Sequence, residues 1–390
     1  MFGSGDYMTR GYNFIHNRLF PTKKHLSSFM IYTTDLCDSG CKHCLIWTKR
    51  PVTYLSLDTI RRIMSSNCIT SSTMIGLEGG EFLLHPESDE ILRWFSENHK
   101  NFDLFSNCLR PGELINAVKK YPPHRLYISL DGDEETYLYM RGKDGYQSVI
   151  SVIEALKDTV PIFVMFTLSP YNDFSDLDHV AAVCEKYNVF LRVGIYNNIP
   201  FFDTIDNSRQ SYFGDLKNHS TLTYREAVRM RDEARNAAQT DVMVKEEHAE
   251  MPDYSSQIPE RIKKFPENYD YVLLYKNWLA GNLRLTCNSI LDSLIVLPNG
   301  DVPICQYLDV KLGNIYSNTL DEIFNGSESS KTQKHYSHNC NQCWVSYHRK
   351  YDIILYRNME KFFGKRATSK LLGYYKWDED DKLTYKEVVQ

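Results

Sequence analysis

Short apolar runs alternate with amphipathic stretches from residue 29 to about residue 200. The runs are Phe29–Thr33, Met74–Leu77, Phe102–Phe105, Leu126–Leu130, Ile162–Leu168 and Val189–Ile195. Between them Leu57, Ile60, Ile63 and Met64 recur at helical spacing, as do Leu177, Val180, Ala181 and Cys184. Pro86 and Pro111 stand where a first helical turn would begin. Six strand-then-helix units in succession predict an α/β fold, a parallel sheet with helices outside, closed or nearly closed as a partial (β/α)6 barrel over 29–200. Residues 1–28 are too few for an independent module and read as an arm laid over the barrel. The pattern then changes to a polar connecting region, 201–284, around a charged helix near 224–238 and a second helix near 267–280. A small module over 285–363 and a charged tail, 364–390, complete the chain.

Polar residues gather after the runs, at the strand ends where chemistry collects in such sheets. Cys37, Cys41 and Cys44 follow the first run, Glu78-Gly79-Gly80-Glu81 the second and Ser106-Asn107 the third. Ser129, Asp131 and Gly132 end the fourth, Ser169 to Asn172 follow the fifth, and Tyr196 to Asn198 the sixth. Six such placements in register make an active-site rim. Cysteines at 37, 41 and 44 let three thiolates converge on one soft metal centre and leave one coordination position open. A zinc site completed by His43 or a distant cysteine is the competing reading.

Cys287, Cys305, Cys340 and Cys343 form a second set. Between the first two, Ser293–Leu297 and Val302–Ile304 flank Pro298-Asn299-Gly300-Asp301, which predicts a β-hairpin because Asn and Gly tolerate positive φ. Structural zinc on these four thiols is the alternative here, and His338 stands close enough in sequence to substitute as a ligand. Cys68 and Cys184 read as core. Cys108 reads as packing near the barrel mouth.

The spacing C-x3-C-x2-C after a first strand, with His43 before the last cysteine, resembles the radical S-adenosylmethionine (SAM) superfamily. Gly79-Gly80-Glu81 resembles its Gly-Gly-Glu motif, and Ser129-Leu130-Asp131-Gly132 with Met140-Arg141-Gly142 resembles its later segments. The resemblance implies that Cys37, Cys41 and Cys44 hold a [4Fe–4S] cluster. It also implies that SAM chelates the fourth iron, that Gly79, Gly80 and Glu81 bind its amino group, and that Ser129 and Arg141 contact its ribose and carboxylate. The spacing C-x12-G-x4-C through Gly300, followed by C-x2-C, resembles the twitch or SPASM-like modules of these enzymes. Leu312-Gly313-Asn314-Ile315 and Leu320 to Phe324 fit the same segment. Cys287, Cys305, Cys340 and Cys343 would then hold one auxiliary [4Fe–4S] cluster, since no cysteine follows Cys343. The resemblance covers residues 29 to about 350.

Composition narrows the function classes. The chain has 390 residues, 42% hydrophobic and 13% aromatic, which is globular, and a net charge of −5 gives no reason to expect nucleic acid or a membrane surface as partner. Without an apolar targeting segment the chain is expected in the cytoplasm, so ten cysteines point to metal rather than disulfides. The resemblance implies reductive cleavage of SAM to a 5′-deoxyadenosyl radical, hydrogen abstraction from a substrate, and an electron donor such as flavodoxin or ferredoxin. Oxidation of a small polyol or sugar-like substrate is the favoured expectation, given the short N-terminal arm and one auxiliary cluster. Thioether, carbon–carbon crosslink or epimerisation chemistry on a ribosomal peptide is the alternative, with any leader-binding domain a separate protein. A non-catalytic zinc protein is a third. Tyr196, Arg192 and Cys108 are the places to look for the acid, base or hydrogen donor.

Overall fold

The computed structural model describes residues 4–169, 171–196, 258–279, 283–308, 310–341, 343–372 and 376–377. Six strands fall on the apolar runs: β1 Ser28–Thr34, β2 Met74–Gly79, β3 Phe102–Ser106, β4 Arg125–Ser129, β5 Ile162–Leu168 and β6 Phe190–Ile195. They pair in parallel and in chain order. All of β1 is buried, because helices cover one face and the barrel interior fills the other, which is why the run shows no polar alternation.

The helices are α1 Ser4–Leu19, α2 Leu57–Met64, α3 Ser88–Asn98, α4 Pro111–Lys120, α5 Glu134–Arg141, α6 Tyr146–Leu156 and α7 Phe174–Tyr187. Leu57, Ile60 and Ile63 of α2, and Leu177, Val180, Ala181 and Cys184 of α7, are the buried faces that their spacing foretells. Pro111 opens α4. Pro86 does not open α3: a turn closed by Ser88 N on His85 O comes first, so Glu87 is the cap and Pro86 lies outside.

The expected arm contains α1, which closes the N-terminal end of the barrel. Its Asn13 Nδ2 donates to Ser27 Oγ at 2.9 Å, and Asn17 Nδ2 to the carbonyls of His25 at 2.9 Å and Leu291 at 3.0 Å. At the far edge, α8 (Pro266–Leu279) lies along β6. Asn268 accepts from Val193 N at 2.9 Å and donates to Leu191 O at 2.8 Å, giving the exposed strand edge a side-chain substitute for the next strand. The expected helix near 224–238 lies outside the described residues.

The C-terminal part departs from the hairpin expectation. Beyond β7 (Leu283–Arg284), β8 (Ser293–Val296) pairs in parallel with β1 and becomes the seventh strand of the main sheet. β9 (Asp301–Pro303) instead pairs with β10 (Lys311–Asn314), antiparallel. The turn itself forms, with Gly300 N on Leu297 O and Leu297 N on Asp301 O, both 2.8 Å. Only its last residue is left-handed, Gly300 at φ +83°, where a side chain would also strike Tyr316. A turn forms where the sequence predicts one, with Gly300 but not Asn299 at positive φ, and the open edge of β1 captures β8. Helices α9 (Leu320–Asn325), α10 (Ser327–Asn339) and α11 (Ser346–Leu372, broken at Gly364) follow, and β11 (Lys376–Trp377) returns to β7. Trp344, wholly buried, stacks on Tyr271 and Trp278 of α8 at ring-centre distances of 5.8 and 5.6 Å, fastening this module to the barrel.

Candidate active site

The loop after β1 is held from both sides before it presents its cysteines. Asp35, fully buried, accepts from Thr53 N at 2.7 Å and Thr53 Oγ1 at 2.6 Å and pairs with Lys49 Nζ at 2.8 Å. Gly40 N donates to Arg141 O at 2.9 Å and Lys42 N to Met140 O at 2.8 Å, so the C-terminal carbonyls of α5 bind the loop backbone. Ser39 Oγ lies 3.0 Å from Cys41 Sγ. Cys37, Cys41 and Cys44 are free thiols lining one cavity of about 280 Å³, together with His43, Gly79, Gly80, Ser129 and Arg141.

Gly79 and Gly80 are required by close approach. Gly79 has φ +143°, and a Cβ there would lie 2.2 Å from Thr34 O; one on Gly80 would lie 2.1 Å from Leu36 O. Gly80 N and Glu81 N meanwhile bond those same carbonyls at 2.7 and 2.8 Å, so β2 and the chain entering the cysteine loop are fused. Gly80→Ala is therefore expected to push Leu36 and Cys37 out of place, costing about 1–3 kcal/mol in overpacking. Denaturant unfolding and iron content of the reconstituted variant check this: unchanged values in both would show that the approach is not needed.

Glu81 stands elsewhere than its motif suggests. Its carboxylate is buried away from the cavity wall, accepting from Ser106 Oγ at 3.0 Å and Asn107 N at 2.8 Å. Burial raises it to about 7, opposed by those hydrogen bonds. It ties the end of β2 to the end of β3, and what the Gly-Gly-Glu segment offers the cavity is glycine backbone. The carboxylate on the wall is Glu78, three residues earlier.

Arg141 is buried and gripped, not a surface arginine. Its Nε donates to Asp131 Oδ2 at 2.8 Å and its Nη2 pairs with the same oxygen at 2.6 Å, while Asp131 Oδ1 accepts from Thr167 N. Nη1 points towards Cys41 Sγ at 3.9 Å. Asn107 Nδ2 reaches Asp38 Oδ1 at 2.9 Å and lies 3.8 Å from Cys37 Sγ. Asn172 is turn chemistry, bonding Asp131 O, Thr167 O and Ser169. Cys108, at φ +63°, is wholly buried in the core and does not line the cavity, which removes it as a substrate contact.

The rest of the cavity wall joins residues the sequence pointed to with others from the C-terminal module. Glu78, Arg192, Thr167, Tyr196, Gln306, Ser346 and Tyr347 line it. Glu78 is raised to about 7 by burial, against the pull of Arg192 and a hydrogen bond from Tyr32. Gln306 Nε2 donates to Tyr32 Oη. Tyr196 is where the strand-end rule put it, and Arg192 reaches the cavity from within β6. Gln306 and Tyr347 carried no signal, because they belong to the distant module.

Cys287, Cys305, Cys340 and Cys343 ring a second, smaller pocket. Cys287 N bonds Ser337 O at 3.1 Å, Leu308 N donates to Cys305 Sγ at 3.2 Å, and Cys340 caps α10 through Tyr336 O. His338 is exposed and bonded to Lys334 O of its own helix, away from the four thiols, so it is no substitute ligand.

Both sets suit iron–sulfur ligation by donor chemistry. Burial, then the neighbouring Cys41, pushes the Cys37 thiol up to about 12, and burial with Cys343 does the same for Cys305. A metal centre that binds these thiols must therefore displace their protons. Among the described residues no group of three or more His, Cys, Asp or Glu is set for a single metal ion. A cubane presents its irons at separate corners and asks that thiols ring a cavity, as each set does.

The family profile of the radical SAM superfamily matches residues 31–184, and that of an iron–sulfur cluster-binding domain, SPASM, matches residues 287–344. A curated relative, GTP 3′,8-cyclase of Mannheimia succiniciproducens, is 27% identical over 146 residues, 35% of this chain and 43% of that protein. The chain thus spans less than half the length of that relative. Among solved structures, Streptococcus suis SuiB bound to S-adenosylmethionine aligns over 88% of this chain and 78% of its own, with a TM-score of 0.53 and 12% identity. SuiB bound to its precursor peptide SuiA aligns over 98% and 82%, also with a TM-score of 0.53 and 12% identity. Likeness at that identity is one of fold. No described helix is long and apolar enough to cross a membrane.

Proposed function

Because the chain belongs to the radical SAM superfamily and carries an iron–sulfur SPASM domain, we propose that it oxidises a hydroxyl-bearing small molecule of the polyol or sugar kind. Cys37, Cys41 and Cys44 hold the SAM-binding cluster in this reading, and Cys287, Cys305, Cys340 and Cys343 hold the auxiliary one. The observation that carries it is shared walls. The segments bearing Cys305 and Cys343 run on into Gln306 and into Val345, Ser346 and Tyr347, which line the main cavity. A substrate there sits between the two sets of thiols.

When bound, the cluster and SAM would supply a radical able to take a substrate hydrogen atom, and the auxiliary cluster would supply an acceptor for one electron. The chain's own groups do the rest. Ser129, Arg141 and the Gly79-Gly80 backbone orient SAM. Gln306, Tyr196 and Ser346 offer hydrogen bonds to hydroxyls. Glu78 takes the hydroxyl proton, so that a hydrogen atom, a proton and an electron leave and CH–OH becomes C=O. A flavodoxin- or ferredoxin-type donor supplies the starting electron.

A peptide substrate is the second reading, favoured by the likeness of fold to SuiB with its precursor peptide. Deuterium separates the two. Anaerobic enzyme with SAM and dithionite is offered carbon-deuterated polyols and sugars, then deuterated short peptides. Label in 5′-deoxyadenosine from a polyol supports the first reading, and label from peptides alone overturns it.

A further inference from the structure

Arg349 is wholly buried beside the four thiols, yet its hydrogen bonds end on neutral groups. Nε donates to Cys343 O at 3.0 Å, Nη1 to Leu285 O at 2.9 Å, and Nη2 to Asn341 Oδ1 at 3.2 Å. Asp352 Oδ2 stands 3.6 Å from Nη1, beyond hydrogen-bond distance, and Asp352 Oδ1 accepts from Asn288 N at 2.9 Å. Two other buried arginines are matched differently. Arg141 meets Asp131 at 2.6 Å, and Arg125 meets Asp103 at 3.0 Å.

A buried guanidinium is costly unless anions balance it. Asp352, paired at 3.6 Å without a hydrogen bond, supplies part of that balance, and Arg349 also lines the pocket ringed by Cys287, Cys305, Cys340 and Cys343, whose thiolates supply the rest. Burial works against the charge, but Cys343, Cys287, Asp352 and Cys340 outweigh it and hold Arg349 above the ordinary guanidinium range. His348, on the same wall, is kept neutral by burial and by Arg349, and bonds Ser289 Oγ at 2.9 Å. Arg349 is therefore the cation of this pocket's wall.

We propose that Arg349 sets the readiness of the auxiliary cluster to accept an electron, and braces the segments that carry its ligands. This rests on reading the four thiols as a cluster site. Reduction adds one negative charge to a cluster already carrying four thiolates, and a buried cation stabilises the reduced form more than the oxidised form. The potential rises accordingly. The same fork joins Leu285, two residues before Cys287, to Asn341, beside Cys340, and to Cys343 itself.

The test isolates the auxiliary cluster in the full-length Cys37→Ala, Cys41→Ala, Cys44→Ala protein, with Arg349 kept or changed to Lys or Met. Iron is counted, and the midpoint potential is read by EPR-monitored redox titration. The expected order of potentials is Arg above Lys above Met, with the reduced fraction at a fixed intermediate potential falling several-fold in the Met protein. A Met protein with full iron and an unmoved midpoint overturns the inference. If Arg349→Met does not load, the Lys protein decides. Retained iron with a lowered midpoint supports the inference, and equal iron loss from both reduces Arg349 to packing. Zinc in place of iron when Arg349 is kept would overturn the cluster reading itself, and the inference with it.

Discussion

Alanine at Cys37, Cys41 and Cys44 together is expected to abolish 5′-deoxyadenosine formation while leaving about half of the iron bound. The three thiols face one cavity with the Gly79-Gly80 backbone, Ser129 and Arg141, so the proposed site for SAM cleavage would disappear with them. The remaining iron belongs to the four thiols of the C-terminal module, whose pocket is walled by different residues. Asp35, Gly40 and Lys42 hold the loop through groups that the substitutions leave in place, so the fold should survive, as circular dichroism would check. No cleavage should remain, since the four thiols of the other set fill the ligand positions of their own cluster and leave none open to SAM. Undiminished nucleoside, or iron unchanged by the substitutions, would contradict the assignment of this loop.

The second large effect is at Glu78. Changing it to Gln keeps the shape and removes the base. Product formation is expected to fall by about 10²–10⁴-fold, the usual worth of a positioned proton acceptor, while SAM cleavage continues without coupling to product. The pH dependence follows from the folded-state value of about 7. Below it the carboxyl is protonated and cannot accept the hydroxyl proton. Product rate should therefore climb as pH rises through about 7 and level off above, and that limb should vanish in the Gln protein. Product and 5′-deoxyadenosine measured in parallel across the range give both quantities. A limb that persists in Glu78→Gln, or an unchanged product rate, would remove Glu78 from the chemistry.

The barrel was legible because parallel strands and their covering helices announce themselves locally. Each apolar run is a strand within a residue or two of its expected ends. The α2 and α7 faces are buried as their spacing requires. Both cysteine sets were legible for the same reason, as spacing on loops. What escaped depends on long-range contact. The Pro298–Asp301 turn predicted a hairpin, and nothing near it in sequence shows that β1 has a free edge for β8. Glu81 carries the motif, but after two glycines the chain turns its carboxylate onto Ser106 and Asn107, leaving Glu78 on the wall. Arg349 sits in an unremarkable stretch of α11, and only the fold brings its charge to thiols from four separate positions. The connecting region before residue 258 stays outside the described residues, and with it any covering element it supplies.

Iron and acid-labile sulfide per chain, counted after anaerobic reconstitution of the unmodified protein, test the central claim most directly. Two cubanes flanking one cavity require about eight of each and no zinc. About four, with zinc making up the difference, would leave one thiol set without its cluster and contradict a substrate held between two of them.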